Sequence, residues 1–311
     1  MKFRHYAYIA LTAAVCATAC KDDDDSTSIP GLNGLSINSA SPYVRVGTTL
    51  EFRADVSGIV TTDNSEPGAI GIYWQVNTAG RDTLSRDISA SNPVFSYRAD
   101  TVGTYTIYSN VYASGYYNSS ATATFKAIVP ETALSGLSGT PDLRLDGNNY
   151  RSFTAGGKTW LGNNLYGAGH AFYGAEVLDS VIGNYYTWEE AREACPAGWH
   201  LPSGEEFDAL GGKAADFMAD VYFLDDKMWE YWPDMAITNS LGFNGIPAGY
   251  MDLTRQENSE SGFMKYALWW TADEVDAERA SFRYIYEQEP EVQKGQGSKT
   301  SLALNVRCVQ D

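Results

Sequence analysis

The stretch YTWEEAREACPAGWHLPSGEEFDAL, residues 186–210, decides the fold of the second half of the chain because it contains two helix starts and a turn. Thr187 followed by Glu190 has the capping-box pattern, in which the hydroxyl and the carboxylate each accept a hydrogen bond from an unpaired amide N–H of a new helix. Ser203 followed by Glu206 repeats the pattern. The Trp-His-Leu-Pro segment between them must run extended, because the residue before a proline avoids the helical conformation. The stretch therefore predicts two short helices joined by an extended segment.

The amino terminus has the features of a secretory signal that ends at a lipid attachment site. Two basic residues precede an apolar run at residues 6–19, which is too short to span a bilayer. Ala17-Thr18-Ala19 stands directly before Cys20, and this resembles a lipoprotein signal. The resemblance implies a signal peptide at residues 1–19, acylation of Cys20, and membrane attachment through the lipid alone. An ordinary signal peptide with a spare thiol is the alternative.

An acidic run follows the cysteine, and we interpret residues 20–33 as a lipidated cysteine with an acidic tether. Asp22 to Asp25 form a block of like charge that does not fold on its own. The run resembles the acidic export signal by which Bacteroidota-type bacteria move lipoproteins to the outer face of the outer membrane. We therefore expect a lipid-anchored protein at the cell surface, with a merely solvated spacer as the alternative.

The charge of the chain limits the choice of partners. The 311 residues carry a net charge of −17, and removing Lys2 and Arg4 with the signal peptide makes it about −19. Such a chain is not expected to bind nucleic acid or anionic lipid. The mature length of roughly 290 residues suits two domains of ordinary size.

Residues 34–129 contain short alternating runs separated by turn residues, which predict an all-β immunoglobulin-like sandwich. Trp74 lies in one of these runs, where an immunoglobulin-like domain keeps its core tryptophan. Tyr105 follows Asp100-Thr101-Val102-Gly103-Thr104, a sequence that resembles a tyrosine corner. No cysteine lies between Trp74 and Tyr105, so the resemblance is to bacterial immunoglobulin-like or PKD-like spacers, at the level of fold.

Five tyrosines near the end of this region invite a sugar-stacking interpretation: Tyr105, Tyr108, Tyr112, Tyr116 and Tyr117. Tyr105 and Tyr108 must face opposite sides of a strand, which excludes one continuous strip. We favour core packing on one side and ordinary surface on the other.

Residues 130–141 are rich in Ser, Gly, Thr and Pro and have no apolar period, which predicts a linker before a second domain at residues 142–311. Five segments of that domain resemble, in order, the Fibrobacter succinogenes major paralogous domain: DGNNYRSFTAGGKTWLGNNL (146–165), YYTWEEAREACPAGWHLPSGEEF (185–207), GFNGIPAGY (242–250), YALWWTADE (266–274) and SLALNVRCVQD (301–311).

The resemblance implies a secreted or surface module, and its layout is similar to the α+β C-type lectin-like fold. In that layout a cysteine near the early helices pairs with one in the last strand. With Cys20 acylated, Cys195 and Cys308 remain, and two cysteines in an exported chain are usually joined. We expect this disulfide, with two free thiols as the alternative.

Motifs for catalysis or metal binding are weak. Only His170 and His200 lie outside the signal peptide, which is too few for a zinc site, and we interpret His200 as structural. Glu289-Pro290-Glu291 matches a calcium-dependent lectin motif only in part. Acidic pairs such as Asp273-Glu274 make calcium conceivable but unsupported. No G-x-S-x-G or H-E-x-x-H sequence occurs, so we predict neither an enzyme nor a cofactor.

Aromatic residues in the middle of the second domain are the remaining candidates for a ligand face: Trp229, Tyr231, Trp232, Tyr250, Trp269, Trp270 and Tyr284. From this group we select Trp229, Trp232, Tyr250 and Trp270 as ligand residues, with packing in the core as the alternative for most of the group. The neighbours Trp269 and Trp270 must point to opposite sides of a strand, so we expect one in the core and the other partly exposed. We predict a binding or adhesion role, with a glycan or a surface protein as partner. A structural or assembly component and a glycan-active enzyme are the alternatives.

Overall fold

The computed structural model describes residues 29–38, 40–78, 81–89, 92–229, 236–255 and 260–311, and for residues 81–87 and 89 only the backbone. The predicted signal peptide, Cys20, most of the acidic tether and Trp232 lie outside these residues. No helix among the described residues is long and apolar enough to cross a membrane.

The first region is built from short and medium strands, which run in chain order as follows: β1 (Leu32–Asn33), β2 (Ser36–Ile37), β3 (Tyr43–Arg45), β4 (Thr49–Asp55), β5 (Val60–Thr61), β6 (Gly71–Thr78), β7 (Arg81–Ser89), β8 (Val94–Arg98), β9 (Gly103–Tyr112) and β10 (Ser119–Ile128). A five-stranded sheet has the order β3-β10-β9-β6-β7, and a three-stranded sheet has the order β2-β4-β8. Only the β10–β3 contact is parallel within these two sheets. This is the predicted all-β sandwich.

The sandwich core forms around the two residues that the sequence singled out. Trp74 is fully buried, and its ring stacks on Phe95 at 5.4 Å between centroids. The Tyr105 hydroxyl donates a hydrogen bond to the Thr101 carbonyl oxygen at 2.8 Å, which is the geometry of a tyrosine corner. Both predictions for this core are confirmed.

The second region combines short helices with several small sheets. Its helices are α1 (Pro130–Ala133), α2 (Asp179–Ile182), α3 (Trp188–Ala194), α4 (Gly204–Asp208) and α5 (Ala214–Phe217), with single 3₁₀ turns at Phe172–Gly174 and Glu176–Leu178. Its strands are β11 (Leu134–Ser135), β12 (Leu143–Leu145), β13 (Asn148–Tyr150), β14 (Ser152–Ala155), β15 (Lys158–Leu161), β16 (Trp199–His200), β17 (Tyr222–Phe223), β18 (Asp226–Lys227), β19 (Tyr250–Asp252), β20 (Glu260–Ser261), β21 (Tyr266–Glu274), β22 (Arg279–Tyr286), β23 (Gln293–Ser298), β24 (Leu302–Ala303) and β25 (Val309–Gln310).

Two of these sheets form the frame of the region. One is four-stranded in the order β14-β15-β25-β16, and the other is three-stranded in the order β21-β22-β23. The remaining pairings are shorter: β11-β17-β18, β20-β19-β24 and β12-β13.

Both helix starts in the deciding stretch are confirmed. The Thr187 hydroxyl accepts from the Glu190 amide, and the Glu190 carboxylate accepts from the Thr187 amide at 2.7 Å. Ser203 and Glu206 make the same reciprocal pair at the start of α4. The predicted disulfide is also present, with 5.8 Å between the Cα atoms of Cys195 and Cys308. It joins the end of α3 to the residue before β25.

Residues 130–141, where we predicted a linker, contain α1 and β11, and β11 pairs with β17. Ile128 and Ala133 are buried in the main hydrophobic cluster of the second region. From the sandwich side, Tyr43 packs on Phe223 with 6.0 Å between ring centroids, and Arg45 forms a salt bridge with Glu131 at 3.0 Å. The first region therefore contacts both this segment and the second region directly.

The core of the second region contains a buried cation. Arg307 is 1% exposed and donates to the carbonyl oxygens of Leu161, Phe243 and Asn244 and to the side-chain oxygen of Asn164. Burial lowers the pKa of its guanidinium to about 9. Because the acceptors come from two segments that are distant in sequence, residues 161–164 and residues 243–244, Arg307 ties these segments together, mainly through backbone oxygens.

Candidate functional site

The tryptophans predicted to form a ligand face are mostly core residues. Trp229 is 2% exposed and Trp270 is 0% exposed, so this part of the prediction is wrong. Their indole N–H groups are also used inside the fold, since Trp229 donates to the Gly245 carbonyl and Trp270 to the Tyr186 carbonyl. Trp232 lies outside the described residues, and Tyr250 is half-buried.

The expectation that one of the two adjacent tryptophans would be partly exposed is wrong as well. Trp269 and Trp270 do point to opposite faces of β21, as strand geometry requires, but both are fully buried. Trp269 packs with Phe207 and Phe243 on one face, whereas Trp270 packs with Phe282 on the other. The sheet is covered on both faces at this point, which leaves neither ring for a ligand.

Four half-buried tyrosines come together at the open end of the same sheet, and we call them the tyrosine cluster: Tyr250, Tyr266, Tyr284 and Tyr286. Tyr266 and Tyr286 are directly opposite each other on β21 and β22, and Tyr284 is opposite Leu268. Because side chains alternate along a strand, these positions share one face. Tyr250 is the first residue of β19. The amide N–H of the residue before it, Gly249, donates a hydrogen bond to the Tyr266 carbonyl oxygen at 2.7 Å.

The rings of the cluster are close enough to act as one surface. Tyr266 and Tyr286 stack with 4.7 Å between centroids and an interplanar angle of 17°. Gly262 lies against Tyr266 and Tyr250, where any Cβ would come within 2.7 Å of the first ring and 3.5 Å of the second. A glycine with positive φ is therefore needed there, both for the turn and for the approach of the two rings.

The polar atoms of the cluster influence one another. Burial raises the pKa of Tyr266, and the nearby hydroxyls of Tyr286, Tyr250 and Tyr284 and the carboxylate of Glu287 raise it further. Glu287 is itself 2% exposed. The cluster thus combines flat apolar faces with several hydroxyl groups, and its surroundings favour the neutral form of the Tyr266 hydroxyl.

A rigid layer supports the cluster from beneath. Tyr250, Tyr266 and Tyr284 pack against a buried group that includes Leu268, Trp270 and Phe282. Since the layer is made of core side chains, the tyrosines above it are held in fixed positions without being fully covered.

The only other polar constellation that the sequence singled out is centred on His200. Its two ring nitrogens lie 2.6 Å from an Asp311 oxygen and 3.1 Å from a Glu206 oxygen, and Lys158 contacts the same Glu206 carboxylate at 2.7 Å. Burial alone would raise the pKa of Glu206, but hydrogen bonds from Lys158, the Ser203 amide and His200 outweigh it and lower that pKa to about 2. Ser203 belongs to this group, but its hydroxyl accepts a hydrogen bond from the Glu206 amide as the cap of α4. The group links β15, α4 and the residue after β25, as expected for a structural histidine.

Among the described residues, no group of three or more His, Cys, Asp or Glu side chains is placed to hold a metal ion. Asp273, one of the acidic residues considered for calcium, accepts a hydrogen bond from the Gly204 amide at the start of α4.

The pattern that defines the tyrosine cluster was only partly visible in the sequence. Tyr250 and Tyr284 belonged to the aromatic group that we considered, but Tyr266 and Tyr286 did not. The alternation of side-chain direction in YALWW (266–270) and FRYIY (282–286) places Tyr266 and Tyr286 on strand faces. That the two residues lie opposite each other follows only from the antiparallel register of β21 and β22, which a single sequence does not give.

Comparison with known proteins identifies the second region. The family model of the Fibrobacter succinogenes major domain matches residues 110–310. The chain belongs to this family. The match includes the deciding stretch, both disulfide cysteines and the whole tyrosine cluster, and it begins within β9, upstream of the start that we predicted at residue 142.

Structural comparison of this Fibrobacter succinogenes major domain protein gives weak similarities. The PKD domain of human VPS10 domain-containing receptor SorCS2 has 14% identity and a TM-score of 0.24, and the alignment covers 38% of this chain and 98% of that domain's chain. The PKD domain of an M14-like peptidase from a Thermoplasmatales archaeon has 18% identity and a TM-score of 0.19, with coverage of 32% and 94%. The Yersinia pseudotuberculosis adhesin InvE has 12% identity and a TM-score of 0.24, with coverage of 90% and 70%.

At these scores the similarities support neither a fold nor a function, and the sandwich is established by its own two sheets. A search of curated proteins finds no match to the chain.

Proposed function

We propose that this protein is a binding or adhesion lipoprotein of the cell surface, attached to the outer membrane through Cys20, and that its second region is a C-type lectin-like module that recognises a glycan or a surface protein. The observation that carries the proposal is the tyrosine cluster. It is a contiguous aromatic surface on a rigid support, and partly exposed surfaces of this kind mark many interaction sites.

The chemistry of the cluster favours a ligand with a flat apolar face and peripheral hydroxyl groups. Tyrosine rings stack on apolar faces, and their hydroxyls donate and accept hydrogen bonds at the edges. Pyranose sugars have this character. A strongly acidic chain with a buried carboxylate at the site disfavours nucleic acid and other anionic ligands. The disulfide fits an oxidising compartment outside the cytoplasm.

The test compares variants of the cluster with matched controls in a glycan-array assay on the purified protein. Tyr284→Ala is expected to weaken binding about tenfold, because a stacked ring contributes on the order of 1 kcal/mol beyond its buried area. Tyr222→Ala removes an exposed tyrosine from β17 and should leave binding unchanged. Binding is expected to persist in EDTA, since we propose no cofactor.

Thermal melts separate a ligand residue from a core residue. Tyr284→Ala should melt close to the wild type, whereas Trp270→Ala should lose about 3 to 5 kcal/mol of stability because it removes a buried ring. A folded Tyr284→Ala protein that binds as tightly as the wild type would refute the site.

Two alternatives have their own outcomes in the same experiment. If no glycan binds and one fixed protein co-purifies through the cluster, the role is that of a structural or assembly component. If the protein turns a glycan over, it is a glycan-active enzyme.

A further inference from the structure

The outward face of the five-stranded sheet differs in charge from the rest of the molecule. On its three inner strands, β6, β9 and β10, the side chains that point away from the core are uncharged along most of their length: Tyr73, Gln75, Asn77, Thr106, Tyr108, Asn110, Tyr112, Ser120, Thr122 and Thr124. Lys126 is the first charged residue on the outward side of these strands, and it lies at the end where β10 pairs with β3. On the neighbouring strand β7, the backbone register places Asp87 opposite Tyr73 of β6. A neutral area of this size is unexpected on a chain with a net charge of −17.

Tyr112 lies flat on this face. It is paired with Gly71 on β6, and a Cβ built on Gly71 would come within 2.2 Å of the Tyr112 ring. The glycine therefore leaves room for the ring to lie on the backbone of the neighbouring strand. Tyr112 is 42% exposed, so its other side is open to solvent.

A second ring and a row of polar groups adjoin Tyr112. The Tyr73 ring lies 6.1 Å from the Tyr112 ring between centroids, and half-buried Tyr108 stands four residues before Tyr112 on β9. Asn110 lies between Tyr108 and Tyr112 on β9, and its side chain is 7% exposed. Its side-chain oxygen accepts from the Ser120 hydroxyl, and its amide nitrogen has no partner among the described residues.

We propose that this face, centred on Tyr112, Tyr73 and Asn110, is a second binding site and that its ligand is a neutral polysaccharide chain. The occupant follows from charge and shape. An aromatic ring lying flat with one side open presents a surface for a pyranose ring, while the amide and hydroxyl groups beside it can exchange hydrogen bonds with sugar hydroxyls. A face without charged groups does not neutralise the negative charge of an anionic polymer, and the surrounding acidic protein repels such a polymer.

The face does not have the form of a protein interface hot spot. Such interfaces centre on side chains that insert into pockets, whereas here the Tyr112 ring lies over the backbone of Gly71 on a sheet surface, with the Tyr73 ring beside it at an angle of 45°. The site is separate from the tyrosine cluster and does not depend on the function proposed for it.

Affinity electrophoresis in native gels tests the site with the purified protein. The gels contain barley mixed-linkage β-glucan, galactomannan or glycogen as neutral probes, and polygalacturonate as an anionic probe. We expect at least one neutral polysaccharide to retard the protein and polygalacturonate to leave its migration unchanged. Tyr112→Ala is expected to weaken the affinity from the gel titration about tenfold.

Two further variants control for the fold and for the ring position. Tyr117→Ala removes a tyrosine that is 63% exposed in the turn between β9 and β10, outside the face, and should migrate as the wild type. Gly71→Ala keeps every aromatic residue but displaces the Tyr112 ring, and it should reduce retardation in the same gel. Thermal melts confirm that each variant is folded.

Several results would overturn the second site. These are no retardation by any neutral probe, equal retardation by polygalacturonate, or full retardation of a folded Tyr112→Ala protein. If Tyr284→Ala abolishes retardation and Tyr112→Ala does not, the tyrosine cluster binds the polysaccharide and the second site is wrong. If Tyr112→Ala instead removes binding to a protein partner and no polysaccharide binds, the face docks protein and the proposal fails.

Discussion

Asp179 is expected to destabilise the folded protein at neutral pH, and replacing it with asparagine should make the protein more stable. Burial raises the pKa of Asp179 from 3.8 to about 6, a hydrogen bond from Asn184 opposes this effect, and Glu176 adds to it. One oxygen of its carboxylate is buried and has no hydrogen-bond partner among the described residues. Asp179→Asn keeps the shape of the side chain and removes the cost of placing a charge there.

The magnitude follows from the pKa. A rise from 3.8 to about 6 corresponds to roughly 3 kcal/mol when the group is fully ionised, at 1.36 kcal/mol per unit. Asp179 is only half-buried, so solvent screening reduces this to about 1.5 kcal/mol. The folded state holds the proton more tightly than the unfolded state, so stability falls as the pH rises from about 4 to about 6 and stays lower above that range.

Urea unfolding at a series of pH values measures this effect. Asp179→Asn should be more stable than the wild type by about 1 to 2 kcal/mol at pH 8, and the difference should vanish below about pH 4. Asp216→Asn is the matched control, and it should lower the stability at pH 8 instead of raising it. Hydrogen bonds from Ser240, the Lys213 amide and Thr238 stabilise the ionised Asp216 carboxylate and lower its pKa. An Asp179→Asn protein whose stability difference does not change with pH would refute the reasoning.

Two further predictions concern the cysteines. The double variant Cys195→Ala/Cys308→Ala should be less stable than the wild type by up to about 4 to 5 kcal/mol, because the disulfide closes a loop with a sequence separation of 113. Alkylation of both thiols in the folded wild type would contradict the bond. Cys20→Ser should leave the protein unprocessed or soluble, as detected by metabolic lipid labelling and membrane fractionation, and unchanged labelling would rule out the proposed anchor.

Local features of the sequence predicted the parts of the fold that are held by local interactions. The two capping boxes, at Thr187 and Ser203, depend on residues three positions apart, and both formed as expected. Trp74 and Tyr105 were recognisable because the sandwich places them at fixed points of a strand pattern. The disulfide prediction needed only the expectation that the chain is exported and that two cysteines remain after Cys20.

The candidate site was harder to predict because burial depends on residues that are distant in sequence. Trp270 carries no local sign that Phe282 and the Tyr186 carbonyl would enclose it. Tyr266 and Tyr286 become neighbours only through the register of β21 and β22. The short pairing of β11 with β17 likewise has no period to detect, and this is why residues 134–135 resembled a linker.

The position of β25 sets the order in which the chain can fold. Val309 pairs with Trp160 on one side and with His200 on the other, so the strand near residue 310 completes a sheet that began about 150 residues earlier. Contacts between such distant residues give a high contact order, and domains of this kind fold slowly because a long loop must close before the contacts form. The sandwich closes earlier, since β3 already finds its partner when β10 has emerged. As the chain folds, the first region can therefore reach its native state while the second is still incomplete and open to proteases and chaperones.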